Sequence, residues 1–450
     1  MDLKKIHNIY FIGIGGIGMS SLARYFSDNG KNVAGYDKTA TSITSNLESI
    51  GIEIHFEDEV KNIVSSFTNP ENTLVVYTPA IPKNHKQYNY FLSQGFEVVK
   101  RAEILGKITE NTFCLAVAGT HGKTTTSSIL GHIMNAVKAT SFLGGITENY
   151  QSNLILGKDK ISVVEADEFD RSFLQLSPDI ACVTSMDADH LDIYKKHDAL
   201  KQSFKDFSNK VAKKLIVAKG VELDGLTYAI EEKADYIADN VQVKNGMYQF
   251  DIKTPNTVIG NVLFQLPGRH NIMNALAAVA MADVYGIPHK TIKERLESFK
   301  GVQRRFSYKI KATDFVLIDD YAHHPTEIKA VVDSVREMYP KKKVLAIFQP
   351  HLFSRTRDFI EDFATSLSLF DELLLLDIYP ARELPIEGVT SNVLLEKINL
   401  DKKELIKKGE IIHKISQSEA KVIVMIGAGD IGALVENVKN ELLKKHCYEI

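Results

Sequence analysis

The sequence predicts an α/β protein with mainly parallel sheets, divided into several domains. Three observations predict it. Apolar runs of strand length recur along the chain, and they are continuous rather than alternating, as suits strands buried on both faces. Glycine-rich or polar turns and helical stretches separate them, the pattern of parallel strands joined by right-handed crossovers. The length of 450 residues exceeds one ordinary domain, and at roughly 150 residues each it allows about three.

Taken in order, Ile9-Tyr10-Phe11-Ile12 is the first strand, followed by glycines and a helix over 19–28. Asn32-Val33-Ala34-Gly35-Tyr36 is the next strand, then Leu74–Tyr77 and Cys114–Ala118. Ser162–Val164, Ile180–Val183, Phe315–Ile318, Val344–Phe348, Leu373–Leu376 and Val422–Ile426 complete the set. The polar stretch 106–112 precedes a strand with its own glycine loop and marks one boundary. The stretch 301–311, after a helix over 290–300, marks the second. The domains are therefore expected at 1–110, 111–305 and 306–450. Residues 220–262 lack strong periodicity and read as short strands and turns, an insertion on the middle domain.

Composition narrows the function. Hydrophobic residues are 44% and charged residues 25%, ordinary for a folded chain. Lysine plus arginine is 54 and aspartate plus glutamate 57, a net charge of −3, which argues against a nucleic-acid binder that works by bulk charge. No apolar run approaches the roughly 18 to 20 residues of a membrane span. The start has no secretory pattern, and a cytoplasmic protein is expected. The three cysteines, Cys114, Cys182 and Cys447, form no CxxC pair, so neither a disulfide framework nor a cysteine zinc site is indicated.

Two glycine loops carry the chemistry. Gly13-Ile14-Gly15-Gly16-Ile17-Gly18 is a G-x-G-x-x-G between a strand and a helix, where backbone N–H groups meet a pyrophosphate. Asp37 ends the second strand, near the spacing of roughly 20 residues at which an acidic side chain meets a ribose. The motif alone does not separate a nicotinamide dinucleotide from another nucleotide diphosphate. The second loop, Gly119-Thr120-His121-Gly122-Lys123-Thr124-Thr125, ends in G-K-T. Val117 stands where the strict pattern has its first glycine, so this is a shortened variant. Its backbone cradles phosphates, Lys123 neutralises them, and the Thr124 hydroxyl is a ligand for Mg²⁺. ATP is the expected nucleotide. A simple dehydrogenase needs only the first loop and a simple ATPase only the second. Together they point to ATP driving chemistry on a second, nucleotide-linked substrate.

Acidic and basic clusters follow. Glu165-Ala166-Asp167-Glu168 and Asp187-Ala188-Asp189-His190 each end a buried strand, on the side where open α/β sheets bind ligands. Glu165 and His190 are candidates to join Thr124 at a metal, and hard oxygen ligands suit Mg²⁺. Gln303-Arg304-Arg305-Phe306 lies at the second boundary, where an arginine can close on phosphates held by another domain. His323-His324 lacks a third zinc ligand at suitable spacing, and adjacent histidines point apart. Arg355 and Arg357 are candidates to clamp a small carboxylate.

These pieces, in order, resemble the Mur ligase family. The resemblance rests on the two glycine loops, Glu165-Ala166-Asp167-Glu168, Ala188-Asp189-His190, Gly268-Arg269-His270-Asn271, Arg304-Arg305-Phe306 and Asp320-Tyr321-Ala322-His323-His324-Pro325. It rests also on Phe348-Gln349-Pro350-His351, Asp377-Ile378-Tyr379-Pro380-Ala381-Arg382-Glu383 and Gly427-Ala428-Gly429-Asp430-Ile431, and it spans essentially the whole chain. It implies a Rossmann-like N-terminal domain for a UDP substrate, a central P-loop ATPase domain, and a Rossmann-like C-terminal domain for an amino acid. The implied reaction joins L-alanine to the lactyl carboxylate of UDP-N-acetylmuramic acid, through an acyl phosphate, with ATP and Mg²⁺.

By the same resemblance Gly119, Thr120, Gly122, Lys123, Thr124, Thr125, Asn271, Asn274 and Arg305 bind ATP. Thr124 and Glu165 ligate one Mg²⁺ and His190 a second. Gly15, Gly16, Ile17, Gly18, Asp37 and Thr78 line the UDP site, with His121 between it and the ATP loop. Tyr321, His323 and Arg355 form the alanine end. Lys123, His190, Arg305 and His121 are the catalytic set. Two positions depart from the family pattern: Leu352 and Ile155 stand where basic residues are expected. Rival readings are a sister ligase adding a recovered tripeptide to the same sugar nucleotide, an NAD(P)-dependent oxidoreductase, and a non-catalytic nucleotide-binding regulator. No nucleic-acid or membrane partner is expected.

Overall fold

The computed structural model describes residues 3, 5–158, 160–187, 197–244, 246–381 and 383–446. Within them the chain is α/β with three sheets, one in each of three domains. By compactness it divides into two units. One comprises Met1–Val241, Gln249–Phe264 and Met273–Lys300; the other comprises Gln242–Tyr248, Gln265–Ile272 and Gly301–Ile450.

The first sheet holds β1 (Asn8–Ile12), β2 (Asn32–Tyr36), β3 (Glu53–His55), β4 (Thr73–Tyr77) and β5 (Glu97–Lys100) in the order β3-β2-β1-β4-β5. All neighbours are parallel, so this domain is Rossmann-like. β1 is buried at every residue, as its unbroken apolar run requires.

The central sheet holds β6 (Phe113–Ala118), β7 (Thr140–Thr147), β8 (Ser152–Ile155), β9 (Ile161–Glu165), β10 (Ile180–Val183) and β11 (Lys214–Ala218). It continues with β12 (Leu226–Ile230), β13 (Tyr236–Lys244), β14 (Met247–Lys253) and β15 (Val258–Phe264). The order is β15-β14-β13-β12-β11-β10-β6-β9-β7-β8. The pairings from β7 through β9, β6, β10, β11 and β12 to β13 are parallel, and β7–β8 is antiparallel.

Residues 220–262 are thus no separate insertion: β12–β15 prolong the central sheet. Sequence reading misses this because β14 and β15 alternate buried with part-exposed residues, whereas strands such as β1, β6 and β21 are continuous apolar runs. The N-terminal and central domains, both in the first unit, are joined by Asn153, whose amide donates to Ile17 O at 2.5 Å and Ser20 Oγ at 2.9 Å. Tyr25 and Phe142 pack beside it, ring centres 5.2 Å apart.

The third sheet holds β16 (Ser307–Lys311), β17 (Val316–Asp320), β18 (Val344–Phe348), β19 (Glu372–Leu375), β20 (Lys403–Leu405) and β21 (Val422–Ile426). Its order is β16-β17-β21-β18-β19-β20, parallel except for β16 on the edge. Separate apolar layers cover its two faces, one containing Val332, Phe348 and Phe363, the other Leu345, Ile423 and Leu442. No helix among the described residues is long and apolar enough to cross a membrane.

Candidate active site

The first glycine loop leaves β1 at Gly13, whose φ of +89° favours glycine. An added Cβ there would stand 2.7 Å from Thr78 Cγ2, which places Thr78, just past β4, against the loop. Asp37 follows β2, and its Oδ2 accepts the Gly15 amide at 2.8 Å. The helix Ile17–Asp28 begins after Gly16. Gly15, Gly16, Ile17, Gly18, Asp37 and Thr78 are therefore brought together. A cavity of about 250 Å³ opens beside them, bounded by Gly16, Ile17, Gly18, Thr78 and Arg101 on one side and by Gly144, Glu165 and Asp167 on the other. Ile155 is buried in β8.

The second loop follows β6. Val117 lies within that strand, paired in register with Glu165 of β9. The register explains both the shortened loop and the position of Glu165: strand geometry occupies the site of the missing glycine, and it carries the acid to the carboxyl edge of the sheet. Gly122, at φ +82°, turns the chain into the helix Lys123–Met134. Its missing side chain leaves room for Asn274, since a Cβ would lie 2.5 Å from Asn274 Oδ1, and Thr126 Oγ1 donates to that same oxygen at 3.2 Å. Thr120 and His121 are held by Ser185, whose Oγ lies 2.9 Å from Thr120 Oγ1 and accepts the His121 amide at 2.9 Å. His121 Nε2 stands 3.9 Å from Asp187.

Thr124 Oγ1 donates to Glu165 Oε1 at 3.2 Å, Ser127 Oγ to Oε2 at 3.4 Å, and the Gly144 amide to Oε2 at 3.2 Å. Gly144 must lack a side chain, because a Cβ would come within 2.5 Å of the Glu165 carboxylate. Lys123 Nζ donates to Gly119 O at 2.6 Å and pairs with the fully buried Glu168 at 2.8 Å. Burial works against the lysine charge, but Glu168, then Asp167 and Glu165, outweigh it and raise its pKa. His190 lies outside the described residues, as do Asp189 and Asp192.

Asn271 and Asn274 share the helix Arg269–Tyr285. Both are buried, and Asn271 Nδ2 donates to Pro267 O at 2.6 Å. In the second unit, Arg305 stands 3.7 Å from Glu327 and 5.4 Å from the Tyr321 ring centre. Its neighbour Arg304, at φ +60°, lies over the same ring and donates to Gly427 O. Asp320 anchors this corner by accepting the Phe306 and Ala322 amides, each at 2.7 Å. Burial pushes its carboxyl up to about 6.

His323 meets Glu327 at 3.2 Å, and burial lowers its pKa. His324 instead accepts the Thr326 amide at 3.4 Å and packs on Phe359, so the two histidines point apart. His351 links the proposed alanine residues: its ring lies 6.0 Å from that of His323, and its Nδ1 lies 3.3 Å from Arg355 Nη1. Leu352, at φ +72°, opens the short helix that carries Arg355. Tyr321, His323, His351 and Arg355 thus form one row.

A second G-x-G-x-x-G, Gly427 to Gly432, follows β21 and opens the helix Ile431–His446. Its mouth is filled from within the chain. Gln349 Oε1 accepts the Ile431 amide at 3.0 Å, and Gln349 Nε2 donates to Asp430 at 2.8 Å. A Cβ on Gly432 would lie 2.3 Å from the Arg304 guanidinium carbon.

Sequence reading left out Arg101, Gly144, Ser127, Ser185 and His351 as site residues. Lys100-Arg101 at the end of a short strand was the available signal for the first; the others depend on register and loop packing.

Two strand–glycine–helix loops, one holding a buried lysine beside a threonine and a carboxylate, define a multidomain P-loop nucleotide enzyme. Three family models match in succession: the Mur ligase family catalytic domain over 8–112, the Mur ligase middle domain over 117–282, and the Mur ligase glutamate ligase domain over 304–434. UDP-N-acetylmuramate–L-alanine ligase of Flavobacterium psychrophilum is 60% identical over 449 residues, 99% of this chain and all of that protein. The enzyme of the same name from Christiangramia forsetii is 58% identical over 98% of this chain and 99% of its own length. The chain belongs to the Mur ligase family. The crystal structure of UDP-N-acetylmuramate-alanine ligase from Thermotoga maritima superposes with a TM-score of 0.83 at 26% identity, covering 98% of this chain and 99% of that one. A murein peptide ligase from Psychrobacter arcticus shares the fold, with a TM-score of 0.71 at 24% identity, covering 99% of this chain and all of that one.

Proposed function

We infer that the protein is an ATP-dependent ligase that joins L-alanine to the lactyl carboxylate of UDP-N-acetylmuramic acid. This is the first peptide addition in peptidoglycan precursor synthesis. The observation that carries the reading is the 60% identity over the full length of a relative with that activity in its name. The domains are assigned as 1–110 for the UDP substrate, 111–305 for ATP and 306–450 for the amino acid. The cytoplasm is the assigned compartment.

The chemistry accounts for the parts. A carboxylate is a poor electrophile for an amine. Transfer of the γ-phosphoryl group from ATP gives an acyl phosphate, and the alanine amine attacks it through a tetrahedral intermediate that expels phosphate. Such transfer needs positioning and charge neutralisation more than covalent help. Lys123 supplies charge to the β/γ-phosphates, and the amides of Gly119, Thr120, Gly122, Thr124 and Thr125 cradle them. Asn271 and Asn274 take the rest of ATP, with Arg305 as a further cation. The Thr124 hydroxyl and Glu165 carboxylate, 3.2 Å apart, are the hard oxygen pair that magnesium prefers. They would hold one Mg²⁺, and by the family resemblance His190 would ligate a second, next to the substrate carboxylate. Bound there, the ion would neutralise charge on the transferring group. His121 stands beside the phosphate loop toward the sugar nucleotide. Arg355 holds the alanine carboxylate, beside Tyr321 and His323.

The test is phosphate release from ATP with UDP-N-acetylmuramic acid and either L-alanine or the tripeptide L-alanyl-γ-D-glutamyl-meso-diaminopimelate. Faster turnover with L-alanine is expected. Faster turnover with the tripeptide overturns the reading in favour of the sister ligase, and release without any amine overturns it in favour of a plain ATPase.

A further inference from the structure

Asn271 sits in a turn, residues 267–271, that is tied to one helix of the amino-acid domain, Pro325–Met338. Tyr248, in β14 and fully buried, makes the tie. Its hydroxyl donates to Glu337 Oε2, near the end of that helix, and accepts the Gly268 amide at 3.1 Å. Burial, then Glu337, raises the pKa of the hydroxyl, so it keeps its proton and stays a donor. Gly268 also rests on the helix directly: a Cβ there would lie 2.3 Å from Ser334 Oγ. Inside the turn the Asn271 amide donates to Gly268 O at 2.9 Å, and Asn271 Nδ2 donates to Pro267 O at 2.6 Å. All of these residues belong to the second compact unit, which takes Gln242–Tyr248 and Gln265–Ile272 together with Gly301–Ile450.

The same helix holds two more of the assigned residues. In its first turn Glu327 stands 3.7 Å from Arg305 and accepts the His323 amide at 2.9 Å. One rigid element thus fixes an ATP residue and an alanine residue at its start, and the turn of Asn271 at its end. A phenylalanine at 248 would fill nearly the same volume in the core. What the hydroxyl adds is direction: it aims the Gly268 amide and holds it to the Glu337 carboxylate by a charge-assisted hydrogen bond. We propose that Tyr248 and Glu337 are positioning residues for ATP, which fix the turn presenting Asn271 to the helix that also carries the contacts of Arg305 and His323. Neither touches the nucleotide. The proposal rests on the ATP assignment above and deepens it. Lys123, Thr124 and Asn274 are placed by the first unit, whereas Asn271 is placed by the amino-acid domain.

The experiment measures binding of a non-hydrolysable ATP analogue with magnesium by calorimetry, and KM and kcat for each substrate. The variants are Tyr248→Phe, Glu337→Ala, Glu337→Gln and Asn271→Ala, with Tyr248→Phe also placed in the Asn271→Ala background. Tyr248→Phe is expected to weaken analogue binding about 5- to 20-fold, as loss of a charged hydrogen bond implies. KM for ATP should rise by a similar factor, while KM for L-alanine and kcat at saturating ATP stay within about twofold of the parent. Glu337→Ala should match it, and Glu337→Gln, which still accepts the hydroxyl, should recover most of the affinity. In the Asn271→Ala background Tyr248→Phe should cost little more, because the two act on one contact. Loss of packing alone would lower the melting temperature and leave analogue affinity where it was. Affinity of Tyr248→Phe within twofold of the parent overturns the proposal. An equal loss in the two backgrounds also overturns it, since the effect then bypasses Asn271, as does normal binding by Asn271→Ala. Failure of the parent to turn over with L-alanine would count against the function alone, because analogue binding is read without any amine.

Discussion

Replacing Glu168 with glutamine tests what holds Lys123 before a nucleotide arrives. Glu168 is fully buried, and its carboxylate lies 2.8 Å from Nζ. At that separation the attraction is about 6 kcal/mol in an effective dielectric near 20, set against a desolvation penalty of several kcal/mol for each ion. The intact pair contributes little net stability, yet removing one member of a buried pair costs about 3–5 kcal/mol. Lys123 keeps the Gly119 carbonyl, and Asp167 and Glu165 still favour its charge, so the low end, about 3 kcal/mol, is expected for Glu168→Gln. A bound triphosphate gives the ammonium a new partner in the variant, whereas in the parent it competes with Glu168. Urea unfolding with and without ATP measures both effects. ATP should stabilise the variant more than the parent. A loss below about 1 kcal/mol, well under the range for a broken buried pair, or an equal gain from ATP, would refute the reasoning.

Gly144→Ala drives a methyl group into the Glu165 carboxylate, whose atoms are the three nearest to it, so the oxygens next to Thr124 should be displaced. Turnover should fall at low magnesium and recover in part at high magnesium; an unchanged magnesium dependence would separate Glu165 from the metal. Arg355→Ala should raise KM for alanine far more than KM for ATP, measured by steady-state phosphate release. His132, bonded to Tyr150 and Ser298, has its pKa lowered to about 4 by burial and then by Arg295. The unfolded chain takes up that proton near pH 6.5, so stability falls between about pH 6.5 and 4, by up to about 3 kcal/mol. Asp320, raised to about 6, acts in the opposite sense and loses its contribution as pH rises. The readout is therefore the parent-minus-His132→Asn difference in unfolding free energy, which should shrink toward pH 4.

What was legible in the sequence follows from how local each signal is. β1, β6, β10, β18 and β21 are buried on both faces, so their composition alone announces them. β14 and β15 are half-exposed and alternate, and they were read as an insertion. The glycine loops were legible because a tight turn at positive φ constrains a few adjacent residues. Long-range partners were not. Glu168 meets Lys123 only because β9 lies beside β6, and the register of Val117 with Glu165 sets both acids at the loop. Arg101 was overlooked because β5 is short and its burial uneven. His351 was visible within a motif, but its place between His323 and Arg355 depends on the packing of the strand ends in the third sheet.

The G-x-G-x-x-G at Gly427–Gly432 carries the same letters as the one at Gly13–Gly18, yet Gln349 and Arg304 cork it from inside. The glycines there make room for the protein's own side chains rather than for a visitor. A pattern search credits both loops equally; what tells them apart is whether a glutamine amide arrives from a neighbouring strand end. Shortening Gln349 would uncork the mouth and leave an anion cradle with nothing to hold, a starting point for grafting a new effector site onto the amino-acid domain.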